Sequence, residues 1–149
     1  MLDDLKGQAH LSLQRLVACT VSVPLGIASA RLEDMEGCTV RLGPIAGPLF
    51  VTRCHNCTVE FASHQVRVHL STDCTFKLHA TSSPIIEDCH GIVVAPTLPP
   101  FWYPSFAAQM DALGLKADVN LWDRVEDFNW LKQTPSPNWT RRVDNINEN

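Results

Sequence analysis

No stretch of the 149-residue sequence approaches the ~18 consecutive apolar residues that a membrane-spanning helix needs. The opening MLDDLKGQAH lacks the basic segment and apolar core of a secretion signal. Its second residue, Leu2, is not the glycine that N-myristoylation requires, so no lipid anchor is expected in this chain. Basic excess is missing as well: the net charge of −4 excludes the global positive field of a nucleic-acid binder. No Gly-rich phosphate loop is visible. Without an export signal, the six cysteines read as reduced thiols rather than a disulfide framework. In such a chain Asn56-Cys57-Thr58 and Asn138-Trp139-Thr140 are chance matches to the glycosylation pattern.

What is present is a repeat. Cys19-Thr20-Val21, Cys38-Thr39-Val40, Cys57-Thr58-Val59 and Cys74-Thr75-Phe76 follow one another at steps of 19, 19 and 17 residues, and a further step of 17 reaches Gly91-Ile92-Val93. Aligned on the cysteine, Leu13, Leu32, Val51, Val68 and Ile85 stand six residues before it. Leu11, Ala30, Leu49, Val66 and Ser83 stand eight before it; Val21, Val40, Val59, Phe76 and Val93 stand two after. Each unit thus holds two short runs of alternating apolar residues, the pattern of half-buried strands. Turn-forming residues, PLG, GPIAG, ASH and TSSP, separate them. Strands this short bury a face only by stacking like on like, which predicts a parallel β-helix of about five coils over residues 10–96. An antiparallel sandwich also spaces strands regularly, but it does not explain the same residue classes at the same offsets.

The repeat decides how Cys54-His55-Asn56-Cys57 is read. A zinc site takes four ligands, usually from two paired half-sites. Only one Cys-x-x-Cys exists, and Cys89 and His90 do not make a second. Cys57 is instead a rung of an inward cysteine ladder, where a buried thiol behaves as a small apolar group, with Cys54 a neighbour at the turn.

The repeat stops at Ala95-Pro96. Prolines 96, 99, 100 and 104 forbid regular structure in the next stretch. Ser105 is placed to cap a short helix over 106–113, ended by Gly114, with Phe106, Met110 and Leu113 on one face. All four tryptophans, at 102, 122, 130 and 139, fall in residues 97–149. So many large aromatics in irregular sequence predict an extension laid over the side of the β-helix. The whole chain, 1–149, is then one domain.

In Gln65–Leu70, Val66 and Val68 take inward offsets, so Gln65, Arg67 and His69 point outward. By offset, Arg67 stacks between Phe50 on the preceding coil and Pro84 on the following one, with Arg31 beyond Phe50. Two readings stand: a solvated surface arginine, or an arginine presented to a partner's anion, which its planar fork suits.

The segments SHQVRVH, SPIIEDCHGIVVAP, WYP, WDRVEDFNWL and SPNW, in this order and spacing, resemble the C-terminal domain of the tubulin-folding cofactor C family. The same domain occurs in the X-linked retinitis pigmentosa protein and in cyclase-associated protein. The resemblance covers about residues 11–140. It implies an all-β fold, a right-handed parallel β-helix with a C-terminal extension. It also implies a GTPase activator with no substrate pocket, cofactor or metal of its own. The implied partners are β-tubulin in the α/β heterodimer, with folding cofactors D and E, or an Arf-like small GTPase. The implied setting is cytoplasmic and cytoskeletal, and the implied task is tubulin heterodimer folding and release. The family's Gln-x-Arg motif supplies an arginine finger, and Arg67 matches it. Gln65 resembles a glutamine that contacts the nucleotide-side loops, Glu87 the acidic residue that supports the finger, and Phe128 an aromatic that packs on the GTPase. His64 occupies a partner-facing position where the family usually has glutamine, and Thr97 stands where cofactor C commonly has tyrosine. A cytoskeletal binding or scaffold module on the same fold, and a ciliary activator of an Arf-like GTPase, are the alternatives.

Overall fold

The structure, a computed structural model, describes residues 8–143. The two ends of the expected 1–149 domain, residues 1–7 and 144–149, lie outside the described residues. Eight strands carry the repeat: β1 (His10–Gln14), β2 (Thr20–Val23), β3 (Ser29–Glu36), β4 (Thr39–His55), β5 (Thr58–His69), β6 (Thr75–Ala80), β7 (Ile85–Glu87) and β8 (Ile92–Pro96). After them come the helix α1 (Phe106–Ala112) and two further strands, β9 (Glu126–Asp127) and β10 (Trp139–Arg141). Every pairing among these strands is parallel. The chain therefore winds as a parallel β-helix of about five turns. One wall stacks β1, β3, the ends of β4 and β5, β7 and β9. The other stacks β2, the starts of β4 and β5, β6, β8 and β10.

The interior is built from the inward offsets. Leu32, Val51, Val68 and Ile86 line one wall and Val40, Val59, Phe76 and Val94 the other, all buried. Cys38, Cys57 and Cys74 form the expected ladder, with Cys19 half-buried at its open end and Ile92 its next rung. Cys54 is not merely a neighbour at the turn. It is a rung of a second buried ladder, Met35, Cys54, Ser71 and Cys89, inside the next corner. Left-handed residues bracket that corner on every coil. Asp34, Arg53, Leu70 and Asp88 precede it, and Gly37, Asn56, Asp73 and Gly91 follow, all at positive φ. This conformation suits Gly, Asn and Asp but strains leucine by roughly 1–2 kcal/mol. Leu70, at φ 54° and 42% exposed, gains little burial in return. Leu70→Asn is therefore expected to raise stability by about 1 kcal/mol, seen as a higher denaturant midpoint at unchanged slope.

Three expectations change. The last coil steps by 18 residues, not 17: Thr75 pairs with Val93 and Arg67 with Ile85. The added residue sits in the Thr81–Pro84 turn, and a one-residue slip swaps every face. Ile86 and Val94 thus point inward in place of Ile85 and Val93, and Pro84 is buried beside Val66 rather than outside beside Arg67. Second, GPIAG and ASH do not break strands. β4 and β5 run through them, with register shifts between Arg41 and Pro44 and between Ile45 and Pro48. Gly43 permits this bend, because a Cβ there would lie 2.2 Å from the Leu25 carbonyl oxygen. Third, the extension is not wholly irregular, since β9 and β10 add a further rung to each wall.

The helix ends at Ala112, one residue short of expectation. Ser105 stands at its N-cap in a helical conformation and makes no side-chain cap bond. Gly114, at φ +77°, terminates it. Phe106 and Met110 are buried with Ala62 and Leu115, so α1 covers the corner of β4 and reaches Ala62 of β5. Trp122 and Trp139 pack on the main core, and Trp102 donates its indole N–H to the Leu42 carbonyl at 3.0 Å.

Candidate functional site

Parallel registration turns alternation into columns. On the wall that ends in β9, Ser12, Arg31, Phe50, Arg67, Ile85 and Glu126 align in one outward column. Two residues further along each strand, Gln14, Glu33, Thr52, His69 and Glu87 align in the next. The Phe128 N–H donates to the Ile86 carbonyl at 3.0 Å, which sets Phe128 beside Glu87 at the end of that column. Arg31, Phe50, Arg67, His69, Glu87 and Phe128 line a groove of about 230 Å³ between the columns.

Arg67 is exposed and stands between Phe50 and Ile85. Among the described residues, no ion pair or hydrogen bond engages its guanidinium. Four other arginines are neutralised: Arg53 by Asp34 at 2.6 Å, Arg141 by Asp123 at 2.8 Å, Arg31 by Glu33 at 3.3 Å and Arg41 by Glu60 at 3.8 Å. The Arg53 hydrogen bond holds the Asp34 carboxyl below the usual carboxylate range. Glu87, expected to support Arg67, faces His69 instead: its Oε1 lies 4.0 Å from His69 Nε2, and Asp88 Oδ2 lies 3.3 Å from the same nitrogen.

Gln65 and His64 do not line the groove. Gln65 is half-buried, in register with Pro48, on the same side of the strand as Arg67. His64 is exposed at the corner, with Nδ1 2.8 Å from the Thr81 hydroxyl, and faces a separate depression shared with Lys116 and Val119. Thr97 is buried, and its hydroxyl donates to Glu60 Oε2 at 3.4 Å. The fold therefore brings Arg67, Glu87 and Phe128 together and sets His64 and Gln65 at the neighbouring corner. Arg31 stands beyond Phe50 as its offset predicts, and Thr52, which the sequence did not single out, joins it in the groove. The position of Thr52 in the outward column was the available signal. A larger cavity, about 380 Å³, lies between α1 and the coils, lined by His79, Thr97, Leu98 and Met110, away from Arg67.

Phe128 is 49% exposed, and the short β9 alone would hold it weakly. Asp127 supplies the anchor. Its carboxylate accepts from the Ser136 hydroxyl at 2.7 Å, the Asn138 amide at 2.8 Å and the Asn129 N–H at 3.0 Å. Burial pushes the Asp127 carboxyl up, but these hydrogen bonds outweigh it and the net shift is down. A depressed carboxyl stabilises the fold above its unfolded value of about 3.9, and the contribution is lost as pH falls through the folded value. Asp127→Ala leaves three donors without their acceptor, and a loss of about 1–3 kcal/mol is expected at neutral pH. Thermal unfolding of both proteins should show the gap shrinking as pH falls below the unfolded value of about 3.9.

The thiols face inward. Cys57 donates to the His55 carbonyl at 3.4 Å, Cys74 to that of Cys54 at 3.3 Å and Cys89 to that of Val68 at 3.4 Å. Contact with Cys57, then burial, pushes the Cys54 and Cys74 thiols up; burial pushes Cys89 up. Buried thiols that donate to backbone carbonyls are packed as small apolar groups and are not presented to reagents.

A parallel β-helix with a two-column groove on one wall is the class that the fold and site define. The chain belongs to the family described as "Tubulin binding cofactor C", whose profile matches residues 8–128. It is 38% identical over 135 residues to the mouse (Mus musculus) tubulin-specific chaperone C, covering 89% of this chain and 39% of that one. Against the Arabidopsis thaliana tubulin-folding cofactor C it is 33% identical over 131 residues, covering 88% and 37%. The chain thus spans less than two-fifths of the length of these relatives. Among solved structures, tubulin binding cofactor C from Leishmania major superposes with a TM-score of 0.66 at 23% identity, covering 89% of this chain and 84% of the other, which establishes the fold. No helix among the described residues is long and apolar enough to cross a membrane.

Proposed function

We propose that this domain serves tubulin folding by stimulating GTP hydrolysis on a partner, with Arg67 inserted in trans beside the nucleotide phosphates. The preferred partner is β-tubulin, acting with folding cofactors D and E; an Arf-like small GTPase is the second. The observation that carries this reading is an exposed arginine on a rigid central strand, with no ion partner among the described residues, in a groove edged by Phe50 and Phe128. Membership of the cofactor C family supports it. Phosphoryl transfer asks a partner mainly for charge placed at the β/γ oxygens, and an arginine given in trans accelerates it by about 10³–10⁵. A strand paired on both sides holds such a side chain with little reorganisation at the moment of reaction. The chain then acts on another protein's active site and needs no substrate pocket, cofactor or metal.

Phe128 packs on the partner beside the finger, and Glu87 keeps the adjacent His69 oriented. Gln65 and His64 meet the partner at the neighbouring corner. The work is assigned to the cytoplasm, where tubulin is assembled. Phosphate release from GTP-loaded tubulin, with cofactors D and E, and from an Arf-like GTPase tests the reading. Acceleration that saturates with added domain supports it, and no acceleration of either partner rejects it. A scaffold on the same fold would bind the partner through this groove and leave the rate unchanged.

A further inference from the structure

We infer that Arg31 is a second recognition residue of the groove, pairing with a carboxylate on the partner's protein surface while Arg67 addresses the phosphates. This rests on the activation proposed above and extends it to how the partner is aligned.

Arg31 and Arg67 share one outward column, two rungs apart. Rungs stack about 4.8 Å apart, so the two strand positions are separated by roughly 10 Å. Between them lies Phe50, and the Arg31 guanidinium sits over its ring, 5.0 Å from the centroid. Its Nη1 lies 3.3 Å from Glu33 Oε1. The two cations differ in what holds them: Phe50 and Glu33 engage Arg31, whereas no ion pair or hydrogen bond engages the Arg67 guanidinium among the described residues. With Phe50 between their positions in the column, they address two separate negative groups.

The nature of the second anion follows from what holds Arg31. Stacking fixes a planar guanidinium and leaves its N–H edge available, which suits bidentate recognition of a carboxylate. The Arg31 side chain remains 52% exposed. Its present carboxylate is not dependent on it, because Arg53 Nη2 lies 3.9 Å from Glu33 Oε2. Arg31 can therefore exchange Glu33 for a partner's carboxylate without leaving Glu33 unpaired. An exposed rim pair of this kind governs encounter and its salt dependence more than the chemical step.

The test titrates wild-type domain, Arg31→Gln, Arg31→Lys and Arg67→Ala into the GTP-loaded partner at two salt concentrations. Arg31→Gln is expected to raise the half-saturating concentration about three- to ten-fold, flatten the salt dependence and leave the saturating rate within about two-fold. Arg31→Lys, which keeps the charge and loses the fork, should fall between. Superimposable Arg31→Gln and wild-type curves would overturn the inference while leaving activation standing. So would an Arg31→Gln saturating rate as low as that of Arg67→Ala. If the wild-type domain gives no acceleration, the activation reading fails, and the inference falls with it. Thermal unfolding of each variant checks that the exposed substitutions leave the fold intact.

Discussion

Arg67→Ala is expected to abolish the acceleration of GTP hydrolysis and to leave the domain folded. The expected loss is the whole contribution of an arginine supplied in trans, about 10³–10⁵ in rate. Folding should survive because the side chain points outward, and among the described residues no ion pair or hydrogen bond of its guanidinium is lost. Val66 and Val68 on either side remain buried and keep β5 in place. Single-turnover hydrolysis measures the first half, and the unfolding midpoint, expected to move by less than about 0.5 kcal/mol, the second. Arg67→Lys should recover only a small part of the rate, because a point charge on a flexible stem does not reproduce the fork.

Phe61→Ala is expected to be the most damaging of the core truncations to stability, at about 3–5 kcal/mol. Phe61 is fully buried, in register with Leu78, and meets Phe76 edge-on at 6.5 Å between centroids. Strands on both sides fix the backbone, so the interior cannot collapse around the missing ring. That loss is a large share of the 5–15 kcal/mol typical of a domain. The same strand carries Arg67, so activation should fall with the folded fraction, whereas Arg67→Ala loses activity at full occupancy of the fold. Denaturant unfolding reads the first effect and activity per folded molecule separates the two.

The contrast between coils shows what alternation can and cannot reveal. Gln65-Val66-Arg67-Val68-His69 assigns its own faces, since charged and apolar residues take opposite phases. Ile85-Ile86 and Ile92-Val93-Val94 do not, because both phases are apolar. An added residue in the Thr81–Pro84 turn therefore went unseen, and with it the identity of the residue beside Arg67. Cys54 was obscured for a related reason: two ladders run three residues apart around one corner, and only the more regular one shows as a repeat. The groove itself was half legible. Arg67 and Phe50 follow from register, but Phe128 arrives through β9, two acidic residues with no strand signature, held by a hydrogen-bond network around Asp127 that spans residues 127–138. Such side-chain networks leave no periodic trace, and only the resemblance pointed to Phe128.

In the proposed function, Arg67 meets charge which develops in the partner's active site. Binding to the partner loaded with GDP and aluminium fluoride, compared with GDP alone, tests it most directly, since groups that act in the transition state bind its mimic more tightly. Wild-type domain should bind the aluminium fluoride state at least about ten-fold more tightly, and Arg67→Ala should bind both states alike. Equal wild-type affinity for the two states, or a preference retained by Arg67→Ala, would rule out this role for Arg67.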